Sequence, residues 1–173
     1  PYYDERPGRW IAEPVWPPSN GITPWHLALG SGGLGDAASD NAAFTVASPQ
    51  DIGAASGAWC SYGNGDDLPT DQRHDDADSL VFDTAPLDDT VEFLGAPVVT
   101  LEFAVDRPLA MVAVRLNDVS PDGASLRVCY GLQNLTHRDG HESPEALEPG
   151  KRYRVEVGPG AAAPAFAAGP PPP

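Results

Sequence analysis

In the second half of the chain, apolar and polar residues alternate with a period of two, and this alternation limits the fold more than any other feature. Successive side chains of an extended strand point to opposite faces, so each alternating segment would bury one face and expose the other. Repeated in segments of four to nine residues, the pattern indicates antiparallel sheet with one buried face. The alternating segments are residues 79–83, 98–105, 111–119, 125–130 and 152–157.

The residues between these segments favour turns over helices. The 173 residues include 20 Pro and 18 Gly, both of which disfavour helix interiors. Residues 120–123, Ser-Pro-Asp-Gly, have Pro second and Gly fourth, as type I turns prefer. This turn would join the strand ending at Val119 to the strand beginning at Ser125. Short strands without convincing helices predict an all-β, antiparallel two-sheet sandwich or jelly roll with little helix.

The composition along the chain predicts three regions. Residues 1–25 are rich in Pro and Trp and would form an extended arm that packs on the domain. Residues 26–157 would form the β-sandwich, interrupted by a loop at residues 48–78. Residues 158–173 are mainly Ala, Gly and Pro and would form a disordered tail, with polyproline II structure available to its last four residues.

The charge of the chain excludes two classes of partner. Ten basic residues against 25 acidic ones leave a formal net charge of −15. Nucleic-acid binding needs clustered Lys and Arg, and the only lysine is Lys151, so we expect no nucleic-acid partner. An anionic membrane surface is disfavoured for the same reason, and no apolar run reaches the ~18 residues of a membrane span. We therefore expect no membrane partner.

The start of the chain is not that of a signal peptide, and it lacks an initiator Met, so we expect a processed product or an excised piece. The composition is rich in Ala, Arg, Asp, Gly and Pro and poor in Lys, which favours a bacterial source. The compartment stays open, although the cytoplasm is favoured.

Two motifs bear on enzymatic chemistry. Residues 30–35 match G-x-G-x-x-G, but a dinucleotide site needs a helix directly after the glycines. Because this stretch lies between short predicted strands at residues 26–29 and 43–46, we predict a hairpin turn instead. The G-x-S-x-G pentapeptide that exposes the nucleophile of α/β-hydrolases is absent, so we predict no acyl-transfer machinery and no catalytic residue in this chain.

The candidate metal ligands are weak. His137 and His141 have an i, i+4 spacing, but the turn sequence between them predicts solvated side chains instead of a zinc site. The Asp-rich residues 66–78 offer oxygen ligands for calcium, yet the D-x-D-x-D-G pattern is missing. Cys60 and Cys129 could pair, although free, partly buried thiols are the simpler interpretation. We expect no metal and no cofactor.

The four tryptophans leave two interpretations open. Exposed indoles stack on sugars in carbohydrate-binding modules, whereas packed indoles would lie against the sandwich or against a missing partner. Their concentration in a Pro-rich arm favours packing. The candidates for the domain-packing face are Trp10, Trp16, Trp25 and Trp59. Asn117, Asp122 and Gly123 are expected to be structural and to fix the strand-to-turn geometry.

A series of short motifs follows one another in a characteristic order. They are residues 8–13 (Gly-Arg-Trp-Ile-Ala-Glu), 16–17, 59–63 (Trp-Cys-Ser-Tyr-Gly), 68–73 (Leu-Pro-Thr-Asp-Gln-Arg), 76–83, 86–87, 92–97, 115–123, 134–138 and 147–150. Together they resemble the C-terminal domain of X-prolyl dipeptidyl-peptidases and cocaine-esterase-like (CocE/NonD) serine hydrolases. The resemblance extends from about residue 8 to residue 157.

The resemblance implies a place in a larger enzyme. In such hydrolases an α/β-hydrolase domain carries a Ser-Asp-His triad, a helical cap shapes the pocket, and the C-terminal domain packs against both. The resemblance implies that this C-terminal domain is a jelly-roll β-sandwich resembling galactose-binding domains. Some members use this domain for oligomer contacts. The implied substrates are peptides with a penultimate proline, esters or acylated amides. None of the catalytic residues maps onto this chain. Further strands close the sandwich in the family, and here four prolines follow Gly169, so we expect an exposed sheet edge or a gap in the core.

These observations predict a non-catalytic accessory domain that supports the catalytic α/β-hydrolase domain of its parent chain and the substrate pocket of that domain. A free-standing carbohydrate-binding module is the alternative. An independent hydrolase is the third class, and we expect no activity of that kind from the chain by itself.

Overall fold

The computed structural model describes residues 8–15, 18, 23–37, 42–58, 60, 62 and 67–169. Its strands are β1 (Ala28–Gly30), β2 (Gly33–Gly35), β3 (Val91–Glu92), β4 (Val99–Phe103), β5 (Met111–Val119), β6 (Ser125–Asn134), β7 (Tyr153–Val157) and β8 (Ala165–Phe166). One turn of α-helix, α1 (Arg73–Asp76), and the 3-10 turns Ala54–Ser56 and Leu135–His137 complete these elements.

The strands associate in pairs. β1 pairs with β2, β3 with β8, β4 with β7, and β5 with β6. The prediction of an all-β fold with antiparallel sheets and little helix is confirmed. The jelly-roll arrangement stays a prediction. Among the residues that the structure describes, no helix has the length and apolar character needed to span a bilayer.

The chain divides into two compact units. The first unit comprises residues 1–91, 119–126 and 166–173, and the second comprises residues 92–118 and 127–165. The three regions predicted from composition, with boundaries at residues 25 and 157, remain a prediction.

The apolar core of the second unit lies where the alternating segments pair. In the antiparallel register of β4 and β7, Leu101 is opposite Val155, and Phe103 is opposite Tyr153. The last two rings stack with centroids 5.8 Å apart. The remaining members of the core are buried Leu135, Leu147 and Val157 and partly buried Val105, Ala110, Val112 and Val114. Full burial of a large aliphatic side chain contributes about 1.5–3 kcal/mol, so the buried Leu135, Leu147, Val155 and Val157 contribute the most among these residues.

The opposite face of the same pair is polar, as the alternation predicts. Thr100 is opposite Glu156, and Glu102 is opposite Arg154, and all four residues are exposed. Opposite charges on facing strands are mildly stabilising. The predicted strands at residues 98–105, 111–119 and 152–157 are thus confirmed within one or two residues.

Two predicted strands are wrong. Residues 43–46 and 79–83 form no strand. Their aromatic rings nevertheless meet edge to face, with the centroids of Phe44 and Phe82 5.2 Å apart. Alternation shows that a segment could be extended, but a strand also needs a neighbour for its backbone hydrogen bonds, and nothing local in the sequence supplies that information.

Other segments are more ordered than predicted. The loop at residues 48–78 contains α1 and a 3-10 turn, and β6 continues to Asn134 past Gly131. A Cβ at Gly131 would lie 3.0 Å from the carbonyl oxygen of Gly158, so glycine permits this close approach. A hairpin is present near residues 30–35, but it is tighter than predicted: its second strand is β2, inside the predicted turn, and β1 and β2 pair from Ala28 with Gly35 to Gly30 with Gly33.

The prediction of a disordered tail at residues 158–173 is wrong for part of that segment. Ala162 forms a β-bridge with Gly95, the Phe93 amide donates to the Pro164 carbonyl oxygen at 3.0 Å, and β8 pairs with β3. Apart from Phe166, these residues are Ala and Pro, whose composition carries no strand signal, and a distant segment of the chain orders them. Residues 170–173 lie outside the described part.

Candidate functional site

Two consecutive residues of the first unit, Asp71 and Gln72, bind the beginning of β6, and Arg73 holds the Asp71 carboxylate. The Oδ1 atom of Asp71 accepts hydrogen bonds from the backbone nitrogens of Arg73 at 3.1 Å and Ser125 at 3.2 Å. The Gln72 amide donates to the Ser125 carbonyl oxygen at 2.8 Å. Asp71 also forms an antiparallel bridge with Leu126. We call residues 71–73 the clasp, because they join two segments that lie about 50 residues apart in the sequence.

The Asp71 carboxylate of the clasp also forms an ion pair with Arg73. Arg73 donates from Nε to Asp71 Oδ2 at 2.8 Å, and its Nη2 atom lies 2.6 Å from the same oxygen. The Arg73 hydrogen bond is the largest cause that lowers the pKa of Asp71 below its ordinary value, and the amides of Arg73 and Ser125 lower it further. The carboxylate is therefore held in its charged, accepting form at neutral pH.

Buried polar side chains lie within the clasp and two residues beyond it, at Gln72 and Asp75. Gln72 is 0% exposed, and its Nε2 atom donates to the carbonyl oxygens of Ala55 and Thr70, both at 2.7 Å. Asp75 is 2% exposed, and its Oδ2 atom accepts from the Ala55 amide at 3.1 Å. Buried polar groups need such partners, so this network organises the loop at residues 48–78. Sequence reasoning missed both residues, since an Asp-rich stretch is usually solvated.

The turn between β5 and β6 contains two of the predicted site residues. Gly123 donates to the Ser120 carbonyl oxygen at 2.8 Å and has φ of +81°, a conformation that favours glycine. Asp122 Oδ1 accepts from the Ser120 hydroxyl at 2.6 Å and from the Ala124 amide at 3.1 Å. The hydroxyl is the largest cause that lowers the pKa of Asp122. These contacts hold the turn in one geometry.

The other predicted residues are not gathered at this turn. Asn117 is half-buried in β5, and its structural role stays a prediction. Trp10 is fully exposed, and Trp25 is 53% exposed. Trp16 and Trp59 lie outside the described residues. Ile11 and Val15, which neighbour Trp10 in the arm, are also exposed, so the described part of the arm presents apolar side chains to solvent.

A groove of about 480 Å³ lies in the first unit, beside the β1–β2 hairpin. Its walls include Gly30, Gly33, Phe44, Leu80, Phe82 and Asp83. Gly33 has φ of +108°, and a Cβ there would collide with the Asp83 carbonyl oxygen. Among the described residues that line the groove there is neither His nor Cys.

The structure brings the two candidate histidines together and leaves the two cysteines as free thiols. Among the described residues, no group of three or more His, Cys, Asp or Glu side chains is placed to hold a metal ion. His137 and His141, expected to have solvated side chains, lie with their Nδ1 atoms 3.1 Å apart. Cys60 is exposed, whereas Cys129 is buried, and both thiols are free. Burial raises the pKa of the Cys129 thiol.

Comparison with known proteins identifies relatives of the whole domain. The sequence profile of a family described as the X-Pro dipeptidyl-peptidase C-terminal non-catalytic domain matches residues 2–170. A cocaine esterase from Rhodococcus sp. (strain MB1 Bresler) is 30% identical over 161 residues, which cover 86% of this chain. The chain spans 28% of the length of that relative.

Proposed function

Because this chain belongs to the family of X-Pro dipeptidyl-peptidase C-terminal non-catalytic domains, we propose that it serves as the accessory domain of a larger serine hydrolase. Its partner is the catalytic α/β-hydrolase domain of the same parent chain. Its role is structural: it presents a folded surface that packs against the catalytic domain and supports the surroundings of the substrate pocket.

This proposal rests on how much of each chain is matched: nearly all of this chain, but only a small part of its relative. The family profile extends over nearly the whole chain, yet the similar cocaine esterase is more than three times as long as the part that matches. The nucleophile of the parent would then belong to the other part. The absence of G-x-S-x-G from this chain agrees with that division. The relatives' names indicate a parent that cleaves a peptide bond after proline or an ester.

The exposed apolar side chains of the arm suggest where the partner binds. Single exposed apolar residues are ordinary, but Trp10, Ile11, Val15 and Trp25 fall within 16 residues of sequence. An indole buries about 150–250 Å² when it is covered, which corresponds to about 4–6 kcal/mol before the entropic cost of docking. The proposed contact face is therefore the arm, with Trp10 and Trp25 as its anchors and Trp16 and Trp59 as further candidates.

The first test uses the purified chain. It is incubated with p-nitrophenyl esters and with Xaa-Pro p-nitroanilides, and absorbance is followed. We expect no turnover above background. Turnover that persists after repeated purification would contradict a non-catalytic role and favour an independent hydrolase.

The second test uses the full-length parent protein. Trp10→Ala combined with Trp25→Ala should lower the melting temperature of the catalytic domain and expose its boundary to proteolysis. Leu132→Ala removes an apolar side chain of the second unit that is about as exposed as Trp25, and it is the matched control. Equal melting curves for the double variant, the control and the wild type would contradict the proposed face.

Exposed indoles also suit the alternative, a free-standing carbohydrate-binding module. Oligosaccharides are titrated into the chain while indole fluorescence is recorded. A saturable shift with one sugar, abolished by Trp10→Ala or Trp25→Ala, would favour the binding module over the accessory domain.

A further inference from the structure

The loop after β6 brings two imidazoles into contact. His137 ends the 3-10 turn Leu135–His137, and His141 follows four residues later. Their Nδ1 atoms are 3.1 Å apart and their ring centroids 5.2 Å apart, with the ring planes inclined by 46°. We propose that His137 and His141 form a two-imidazole site for a divalent transition-metal cation such as Zn²⁺.

The nitrogen separation matches what such a cation requires. Zinc binds imidazole nitrogen at about 2.0–2.1 Å, so two nitrogens 3.1 Å apart subtend an angle of about 98° at the metal. That angle lies between the ~90° of square-planar or octahedral sites and the ~109° of tetrahedral sites. Both rings then bind through Nδ1 and carry their proton on Nε2, which is the neutral form that coordinates metals.

The backbone between the two histidines is held in place without the metal. Gly140 donates to the His137 carbonyl oxygen at 3.1 Å and has φ of +140°, which permits the sharp turn. Arg138 donates through its guanidinium to the carbonyl oxygens of Leu135 and Glu145 and lies over the Tyr153 ring. Because these contacts already order the loop, metal binding would carry only a small entropic cost of ordering it.

The charge and the exposure of the loop also suit a cation. Asp139, Glu142 and Glu145 outnumber Arg138 among residues 137–145, and the whole chain carries a net charge of −15. Within the described residues no third His, Cys, Asp or Glu completes the site, so water fills the remaining coordination positions. In the metal-free protein, one imidazole donates a hydrogen bond to the other across the same 3.1 Å.

Zn²⁺ titrated into the full chain by calorimetry tests the site. We expect one Zn²⁺ per chain. Loss of an outer-shell partner weakens metal binding by about 10–100-fold in known sites, so His137→Ala or His141→Ala should weaken it by at least about tenfold. His74→Ala is the matched control, because it removes an imidazole that is 90% exposed in the first unit, and its affinity should equal that of the wild type.

Electron paramagnetic resonance of the Cu²⁺-loaded chain gives an independent readout. Two equatorial imidazole nitrogens are expected in the wild type and in His74→Ala, and one in each of the other variants. Circular dichroism verifies the fold of each variant, and if one fails to fold, the other decides. Equal Zn²⁺ affinity of all four proteins, or an equal loss in His74→Ala, would overturn the proposal.

Discussion

Asp71 accepts a hydrogen bond from the backbone nitrogen of Ser125, which is 54 residues away in the sequence. The same carboxylate is held by Arg73. One side chain thus connects an irregular acidic loop to the first residue of a long strand. Asp122 and Gly123 hold the adjacent turn, so the hydrogen bonds of the turn and those of the clasp end on the neighbouring residues Ala124 and Ser125.

Replacement of the clasp carboxylate should destabilise the chain. Asp71→Ala removes the acceptor of two backbone amides and the partner of Arg73, and hydrogen bonds to charged groups contribute about 1.5–3 kcal/mol when buried. Because the Asp71 side chain is partly exposed, we expect a loss of about 1–2 kcal/mol in the free energy of unfolding, measured by guanidinium denaturation. Asp106→Ala, which removes an exposed carboxylate beside Arg107, should change it by less than about 0.5 kcal/mol. Equal effects of the two substitutions would contradict the clasp.

The lowered pKa of Asp71 predicts a dependence of stability on pH. The folded-state pKa lies below the ordinary value of 3.8, so the stabilisation is fully present above that value and is lost as the pH falls through the folded-state pKa. Wild type and Asp71→Ala should therefore differ in unfolding free energy at about pH 6, and the difference should shrink as the pH falls through the folded-state pKa. A difference that is constant over this range would show that the charge of Asp71 is not involved.

Gly33 should not tolerate a side chain. Its φ of +108° disfavours any residue with a Cβ, and that Cβ would collide with the Asp83 carbonyl oxygen. We expect Gly33→Ala to cost about 1–3 kcal/mol of unfolding free energy. Gly35→Ala, in the same hairpin, has ordinary backbone geometry and free space and should stay within about 0.5 kcal/mol of the wild type. A neutral Gly33→Ala would mean that the hairpin does not approach residue 83.

The core of the second unit should respond to a cavity. Val157 is buried and lies opposite Val99 in the β4–β7 pair. Val157→Ala removes two methyl groups and should lower the free energy of unfolding by about 2–3 kcal/mol. Val98→Ala makes the same chemical change at an exposed position and should be nearly neutral. The measurement is the denaturant concentration at the midpoint of unfolding, provided that the slope of unfolding free energy against denaturant concentration is unchanged. Equal midpoints for both variants would place Val157 outside the core.

The pairing of β4 with β7 could be predicted in part. Alternation identified both strands and the face that each buries, since a period of two encodes which side chains share a side. It did not identify which strand is the neighbour of which, and it wrongly predicted strands at residues 43–46 and 79–83. Strand pairing joins residues far apart in the chain, so local pattern cannot report it.

The candidate site was less predictable than the fold. The Ser-Pro-Asp-Gly turn was predictable, because its residue types have known turn preferences. The burial of Gln72 and Asp75 was not, since polar side chains enter an interior only when specific distant partners receive them.

The sequence by itself determined the class of the fold, the buried faces of the long strands and the family to which the chain belongs. Each of these follows from local periodicity or from the order of short motifs. Only the tertiary structure decided that Ala162 and Pro164 pair with the segment around Gly95, that the clasp joins β6, and that His137 meets His141 across a turn. Such contacts depend on where the backbone returns, and the free energy of the whole chain sets that, not the preference of any one segment.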